Sequence, residues 1–246
     1  MAERRSLREL AQTANVTLPF PNIDSALVLT AASAIAVAWD FLQAHQSDYG
    51  LDVATATEPQ LTAAIVEILD RLRRRHIEGG GAYSEQFYEA PIAAPEMPNF
   101  DRTSIAKKPD IMIRPRSCPH YSAHALYWGL YFEAKLVDGG ATAAAYGRNG
   151  IDRYVRGDYA WAVSQAFMLG YRGADGALPA GLTSLFSTTN PADLRWLATN
   201  VPAQWSGNSS DGQIIATTHD RPWRYPHQDP LPGTIEVLHL WLSKKS

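Results

Sequence analysis

KPDIMIRPRSCPHYSAHALYWGLYFEAKLV, residues 108–137, holds two short β-branched or aromatic runs, KPDIMIRP (108–115) and LYWGLYFEAKLV (126–137). Runs of that length and composition, bounded by turn residues, read as strands. Successive side chains of a strand point to opposite faces of its sheet. Ile111 and Ile113 therefore face one way and Asp110 the other, while Glu133 and Lys135 share a face and Phe132, Ala134 and Leu136 take the opposite one. Two acids and a lysine can thus converge at one sheet edge.

The reading extends outward from there. QFYEAPI (86–92) has the composition of a third strand. Before it, Thr57 precedes EPQLTAAIVEILDRLRRRH, with Pro59 in the first turn, an apolar stripe of Leu61, Ile65, Ile68, Leu69 and Leu72, and a stop at Gly79, Gly80 and Gly81. That pattern predicts an amphipathic helix. Further upstream, ALVLTAASAIAVAW (26–39), bracketed by Asp24 and Asp40, falls short of the roughly 18 to 20 residues of a membrane span and reads as a buried, Ala-rich core helix. Downstream, Gly139 and Gly140 lead into a segment predicted to be helical in its second half, DYAWAVSQAFMLGY (158–171). GLTSLFSTT (181–189), GQIIATTH (212–219) and TIEVLHLWL (234–242) read as further strands, and PADLRWLATN (191–200) as a short helix begun by Pro191.

No period of 20 to 50 residues repeats and no linker-like run divides the chain. We therefore expect an N-terminal helical extension (1–50) on one domain (51–246). Helix, three strands, helix and strands is the order of an α/β protein, a mixed sheet with helices on both sides.

Composition narrows the function. With 246 residues, 46% hydrophobic and 19% charged, the chain can bury a sizeable core and is neither disordered nor collagen-like. Its net charge of -3 argues against a dedicated duplex coater, so any nucleic-acid contact is expected to be local. A single cysteine, Cys118, excludes an internal disulfide and a cysteine-based zinc cage. MAERRSLREL lacks an apolar segment behind its charges, so the expected compartment is the cytoplasm, without membrane association. There is no Gly-x-Ser-x-Gly elbow, no phosphate-binding Gly-x-x-x-x-Gly-Lys loop and no Gly-x-Gly-x-x-Gly.

The convergent acids and lysine carry the chemistry. Hard divalent cations such as Mg²⁺ take a few carboxylate oxygens and keep several waters, and a neighbouring lysine can hold one of those waters against a phosphodiester. In this arrangement the sequence resembles the PD-(D/E)XK nuclease superfamily, the restriction-endonuclease-like fold, whose core runs α-β-β-β-α-β with Pro-Asp at the second strand and Glu-x-Lys on the third. Both motifs stand here in order, as Pro109-Asp110 and Glu133-Ala134-Lys135. Each alone turns up about once by chance in a chain of this length; their order, strand placement and preceding acidic helix give them weight. The resemblance covers about residues 57 to 172.

The resemblance implies that Asp110, Glu133 and the Ala134 carbonyl ligate Mg²⁺, for which Mn²⁺ can substitute, and that Lys135 orients the attacking water. It also implies a further glutamate on the first core helix. Glu58 lies on the stripe of Leu61, Ile65 and Leu72, whereas Glu67 is nine residues on, about 180° around the helix; Glu58 is the choice that faces the sheet. Gln165 stands six residues before Tyr171, which departs from the Gln-x-x-x-Tyr signature of recombination-type branches and leaves Gln165 a weak candidate. GIDRYVRGDYAWAVSQAFMLGY, with ATTHDR and TIEVLHLWL, resembles prokaryotic nucleases of defence or restriction loci. The expected function is a Mg²⁺-dependent nuclease acting on DNA in preference to RNA, as a homodimer or with a partner protein of a defence system.

Other groups have weaker claims. Lys107, Lys108, Arg148 and Arg153 flank the expected site and are candidate phosphate contacts, whereas RLRRRH (71–76) reads as a solvated helix face. His120 and His124 have the spacing of a metal pair but lie in a loop without an intervening glutamate, and His219 and His239 read as hydrogen-bonded structural residues. The tryptophans, including Trp196, Trp205 and Trp223, can serve either the core or base stacking. Two other function classes stay open beside the nuclease: a catalytically silent nucleic-acid-binding or assembly subunit of the same fold, and a metal hydrolase using the histidines.

Overall fold

The computed structural model describes residues 18–117, 125–137, 145–172, 203–204, 214–226 and 231–244. The Ala-rich run forms helix α1 (Ser25–Ala44), opened by Asp24, whose Oδ1 accepts the Ala26 N–H at 2.8 Å. That bond satisfies one of the orphan amides of a helix start. Helix α2 (Glu58–Arg73) begins at Thr57, where the Gln60 side chain accepts from both the Thr57 N–H at 2.9 Å and its hydroxyl at 2.8 Å. Pro59 falls in the first turn, as expected, and Leu61, Ile65, Ile68, Leu69 and Leu72 are all buried.

The strands are β1 (Ile92–Ala93), β2 (Ile111–Ile113), β3 (Leu130–Val137), β4 (Gln165–Arg172), β5 (Ala203–Gln204), β6 (Ile215–Asp220) and β7 (Thr234–Ser243), in one seven-stranded sheet of order β1-β2-β3-β4-β7-β6-β5. β1, β2 and β3 pair antiparallel, β4 runs parallel to both β3 and β7, and β6 and β5 close the far side antiparallel. The protein is therefore α/β with a mixed sheet flanked by helices.

Two sequence expectations fail here. Residues 158–171 are not helical: the chain forms a π-helical turn (Gly147–Ile151) and a short helix α3 (Asp152–Val155), and then extends as β4. β4 lies between two parallel neighbours and is buried from Gln165 to Tyr171, so it is apolar on both faces and shows no strand alternation. The predicted strand 86–92 is also misplaced. Tyr88 makes only an isolated bridge to Pro115, and the strand proper is Ile92–Ala93. GLTSLFSTT, PADLRWLATN, Cys118, His120, His124, Trp196 and Trp205 lie outside the described residues.

The helices fall on the two faces. On one, α1 and α2 cover the face carrying Tyr171, whose ring stacks on Trp39 at 5.4 Å between centroids and whose hydroxyl meets Thr62 Oγ1 at 3.0 Å. Trp39 Nε1 also donates to the Ser243 carbonyl at 2.9 Å. On the other, the π turn and α3 lie over Met168, His239 and Trp241, with Tyr146 stacked on Trp241 at 5.2 Å. Gly150 lies directly against the end of the Met168 side chain, which a Cβ there would push aside.

Helix α1 is, among the described residues, the one helix long and apolar enough by length and composition to cross a membrane. It is longer than the uncharged run suggested. Its residues Val28, Ala31, Ala32, Ala34, Ile35, Ala38, Trp39 and Leu42 nonetheless belong to the same hydrophobic core as α2 and the sheet.

Candidate active site

β2 and β3 pair with Ile111 opposite Phe132, which places Asp110 beside Glu133 on one face and Ile111 on the other, the alternation expected from the sequence. Four oxygens close around the Lys135 ammonium. Its Nζ lies 2.6 Å from Glu133 Oε1, 2.5 Å from the Ala134 carbonyl, 3.2 Å from Glu58 Oε1 and 3.9 Å from Asp110 Oδ2. Glu58 reaches this point from the first turn of α2, whereas Glu67 is exposed on the helix's outer side. The structure thus brings Asp110, Glu133, Lys135, Ala134 and Glu58 together.

Each carboxylate is also tied by one oxygen to the scaffold. Asp110 Oδ2 accepts the Ala134 N–H at 2.7 Å, Glu58 Oε2 accepts the Leu136 N–H at 3.2 Å, and Glu133 Oε2 takes the Tyr159 hydroxyl. Glu133 Oε1 additionally receives Arg153 Nη1 at 2.9 Å. Glu133 is fully buried, Lys135 nearly so, and Asp110 and Glu58 remain about a quarter exposed at 28% and 26%. The cluster therefore has a sealed floor and an open rim.

Charge follows from that geometry. Burial, with the neighbouring Asp110 carboxylate adding to it, pushes the Glu133 carboxyl up to about 7 despite the opposing pull of Lys135 and Arg153. Burial works against the charge on Lys135, but Glu133, Glu58 and Asp110 outweigh it and its pKa is raised. Arg153 behaves likewise, held charged by Glu133 against the cost of its burial. Burial and the adjacent Glu133 carboxylate push Tyr159 well above the ordinary phenol value, so its hydroxyl stays protonated and donates.

A hard divalent cation suits this donor set by its chemistry: three carboxylates and a backbone carbonyl, all oxygen. Among the described residues no group of three or more His, Cys, Asp or Glu stands ready as a metal cage. In this structure the focus of the acids holds the Lys135 ammonium, a cation of the chain's own. Metal entry would require Lys135 to withdraw from Glu133 Oε1.

The outer candidates divide. Lys107 pairs with Asp158 at 3.2 Å and Lys108 with Glu96 at 2.8 Å, so both sit in ion pairs near the site. Arg148 is on the exposed side of the π turn. Gln165 lies three residues from Met168, the β4 partner of Glu133, and so on the opposite face, where its Nε2 donates to Glu236 Oε2 at 2.8 Å. It is not part of the cluster. In RLRRRH, Arg71 donates to the Tyr49 hydroxyl at 2.7 Å, and Arg73 and Arg74 pair with Asp70 at 2.7 and 2.8 Å. His239 and His219 are buried and joined through Thr217 Oγ1, with Tyr146 on the far nitrogen of His239 at 2.8 Å. Trp223 is a core residue stacked on Phe100 at 4.4 Å.

Sequence reasoning missed Tyr159, the anchor of Glu133, and singled out Arg153 only as a candidate phosphate contact, whereas the structure makes it the counterion of Glu133. Both fall where a helix was expected to continue or begin, so neither direction could be read. The sharp turn after α3, with Gly157 at φ 72° and Ala160 at φ 54°, aims Tyr159 inward. Gly-Asp in RGDYAW was the one available sign of that turn. No family model, curated protein or solved structure matches the chain.

Proposed function

We propose that the chain is a Mg²⁺-dependent nuclease of the restriction-endonuclease-like fold, with DNA as the first substrate to test. The observation that carries the proposal is the convergence of Asp110, Glu133, the Ala134 carbonyl and Glu58 on the Lys135 ammonium. The order α2, β1, β2, β3, α3, β4, with β1 to β3 antiparallel and β4 parallel to β3, supports the fold assignment.

Asp110 and Glu133 would hold the metal with the Ala134 carbonyl, and Glu58 would complete the outer shell. A bound Mg²⁺ supplies Lewis acidity and a water of lowered pKa. Lys135, kept protonated by the three acids, acts there as a hydrogen-bond donor and a positive charge for a water or a phosphate oxygen, not as a base. The Ala134 and Leu136 amides hold Asp110 and Glu58 in place, and Tyr159 fixes the Glu133 rotamer. One such site cuts one strand, so a double-strand break calls for a second copy or repeated nicking.

A second reading, a non-cleaving nucleic-acid-binding or assembly subunit, draws on the two cations that already neutralise Glu133. Supercoiled plasmid with Mg²⁺ or Mn²⁺, beside EDTA and Asp110→Ala controls, separates the two. Metal-dependent nicking that vanishes in Asp110→Ala is the expected result. No nicking with either metal while DNA is bound would favour the second reading.

A further inference from the structure

Glu133 Oε1 serves two cations at once, Lys135 Nζ at 2.6 Å and Arg153 Nη1 at 2.9 Å, while Oε2 is taken by Tyr159. A hard cation bound to Glu133 needs an oxygen at about 2.1 Å, and Oε1 is the one that faces the other acids. The two resident charges cannot both stay. Lys135 is 13% exposed and can withdraw onto Glu58, 3.2 Å from its Nζ, without leaving the cluster; Arg153 is 37% exposed and stands at the rim. Arg153 is therefore the group with a path outward.

Its backbone is fixed, and its side chain runs from there to Glu133 with 37% of its surface open to solvent. α3 is capped by the Arg156 N–H on the Asp152 carbonyl at 2.9 Å, and the Asp158 N–H returns to the Arg153 carbonyl at 2.9 Å. The neighbouring cations are committed elsewhere: Lys107 and Arg156 pair with Asp158, and Lys108 with Glu96. Arg153 differs from them in having a proposed metal ligand as its acid. A guanidinium also offers a planar fork matched to two phosphate oxygens.

We propose that Arg153 is the counterion Glu133 surrenders when a divalent cation binds, and that the freed guanidinium takes a phosphate oxygen of the nucleic acid. The device rests on the metal-nuclease reading and adds regulation to it: cation and nucleic acid each favour binding of the other through one arginine. Linkage makes the effect reciprocal. Without the cation, Arg153 is held inward by Glu133 and contributes little to nucleic-acid affinity.

The test uses the full chain and Ca²⁺, which takes the same oxygen donors. Ca²⁺ affinity is measured by calorimetry without DNA, and the affinity for a short labelled duplex by anisotropy in EDTA and in Ca²⁺. Arg153→Gln should bind Ca²⁺ at least about fivefold more tightly than wild type, the low end of typical coupling, and should lose the Ca²⁺-dependent gain in DNA affinity while matching wild type in EDTA. Arg153→Lys keeps the charge and should retain wild-type Ca²⁺ affinity with a smaller DNA gain, which preserves the test if the glutamine variant folds poorly. Ca²⁺ binding by Arg153→Gln that is equal to or weaker than wild type, with Asp110→Ala abolishing it, would overturn the exchange and leave the metal site standing. Equal Ca²⁺ binding by wild type and Asp110→Ala would overturn both.

Discussion

Replacing Glu133 with Gln tests whether its burial sets the charge of the site. The carboxyl is fully buried, and that burial, helped by Asp110, moves it from 4.5 to about 7. A folded-state value above the unfolded one means that the folded chain binds the extra proton between those two pH values, so stability falls as pH rises through the window. At 1.36 kcal/mol per pH unit, a rise from 4.5 to about 7 amounts to about 3 kcal/mol lost from wild type by pH 8. Gln is close in shape to the neutral acid and does not titrate. In urea unfolding with EDTA present, Glu133→Gln should therefore gain about 3 kcal/mol on wild type between pH 4 and pH 8. Titrating groups that do not interact with Glu133 are common to both chains and drop out of the difference. A difference that is flat across that range, or that moves against the variant, would refute the argument that desolvation outweighs Lys135 and Arg153.

Gly170→Ala should lower stability by about 1 to 3 kcal/mol, the usual cost of overpacking, because a Cβ there would overlap the Trp241 ring, which is stacked on Tyr146 and His239; a melting temperature unchanged by calorimetry would contradict this packing. Thr62→Val should cost about 1 to 3 kcal/mol by leaving the buried Tyr171 hydroxyl without its partner. Adding Tyr171→Phe should recover most of that loss, and a strictly additive double variant in denaturant titrations would show that the pair is not coupled.

The site was legible where alternation could be read. Asp110 immediately precedes β2 and Glu133 and Lys135 lie in β3, and the observed register puts Asp110 beside Glu133 on the face that the pattern assigns. Glu58 was legible through helix periodicity, since α2 is amphipathic and its stripe fixes which acid turns inward. β4 was not, because a strand covered on both faces is apolar throughout and cannot be told from a buried helix by period alone. The crossover before it was hidden for a related reason. Gly147, Gly150 and Gly157 break the helical signal, yet the π turn with Gly150 against Met168 leads into α3, which carries Arg153 to Glu133. QFYEAPI has strand composition, but its backbone pairs only at the Tyr88 bridge to Pro115 and again where Ile92 opens β1. Composition there reports aromatic packing, as in the Tyr83–Tyr88 contact at 4.7 Å.

The cost of the cluster bears on which reading of the protein to prefer. A carboxylate at zero exposure in the middle of a strand, ringed by Lys135, Arg153 and Tyr159, is an expensive way to fill a core position. Replacing such a buried charged group and its partners by well-packed apolar residues is commonly neutral or stabilising. Phe132 and Ala134, the neighbours of Glu133 on the other face, show that this strand packs apolar side chains without difficulty. Scaffold needs alone therefore do not account for Glu133. Local rules are expected to break at functional sites, and among the described residues one such break lies where three acids, from α2, from just before β2, and from β3, meet. A pure docking module would have no use for a sealed carboxylate inside that point. A site that must exchange its own cations for a metal and a phosphate would, and the open rim formed by Asp110 and Glu58 is where that exchange can take place.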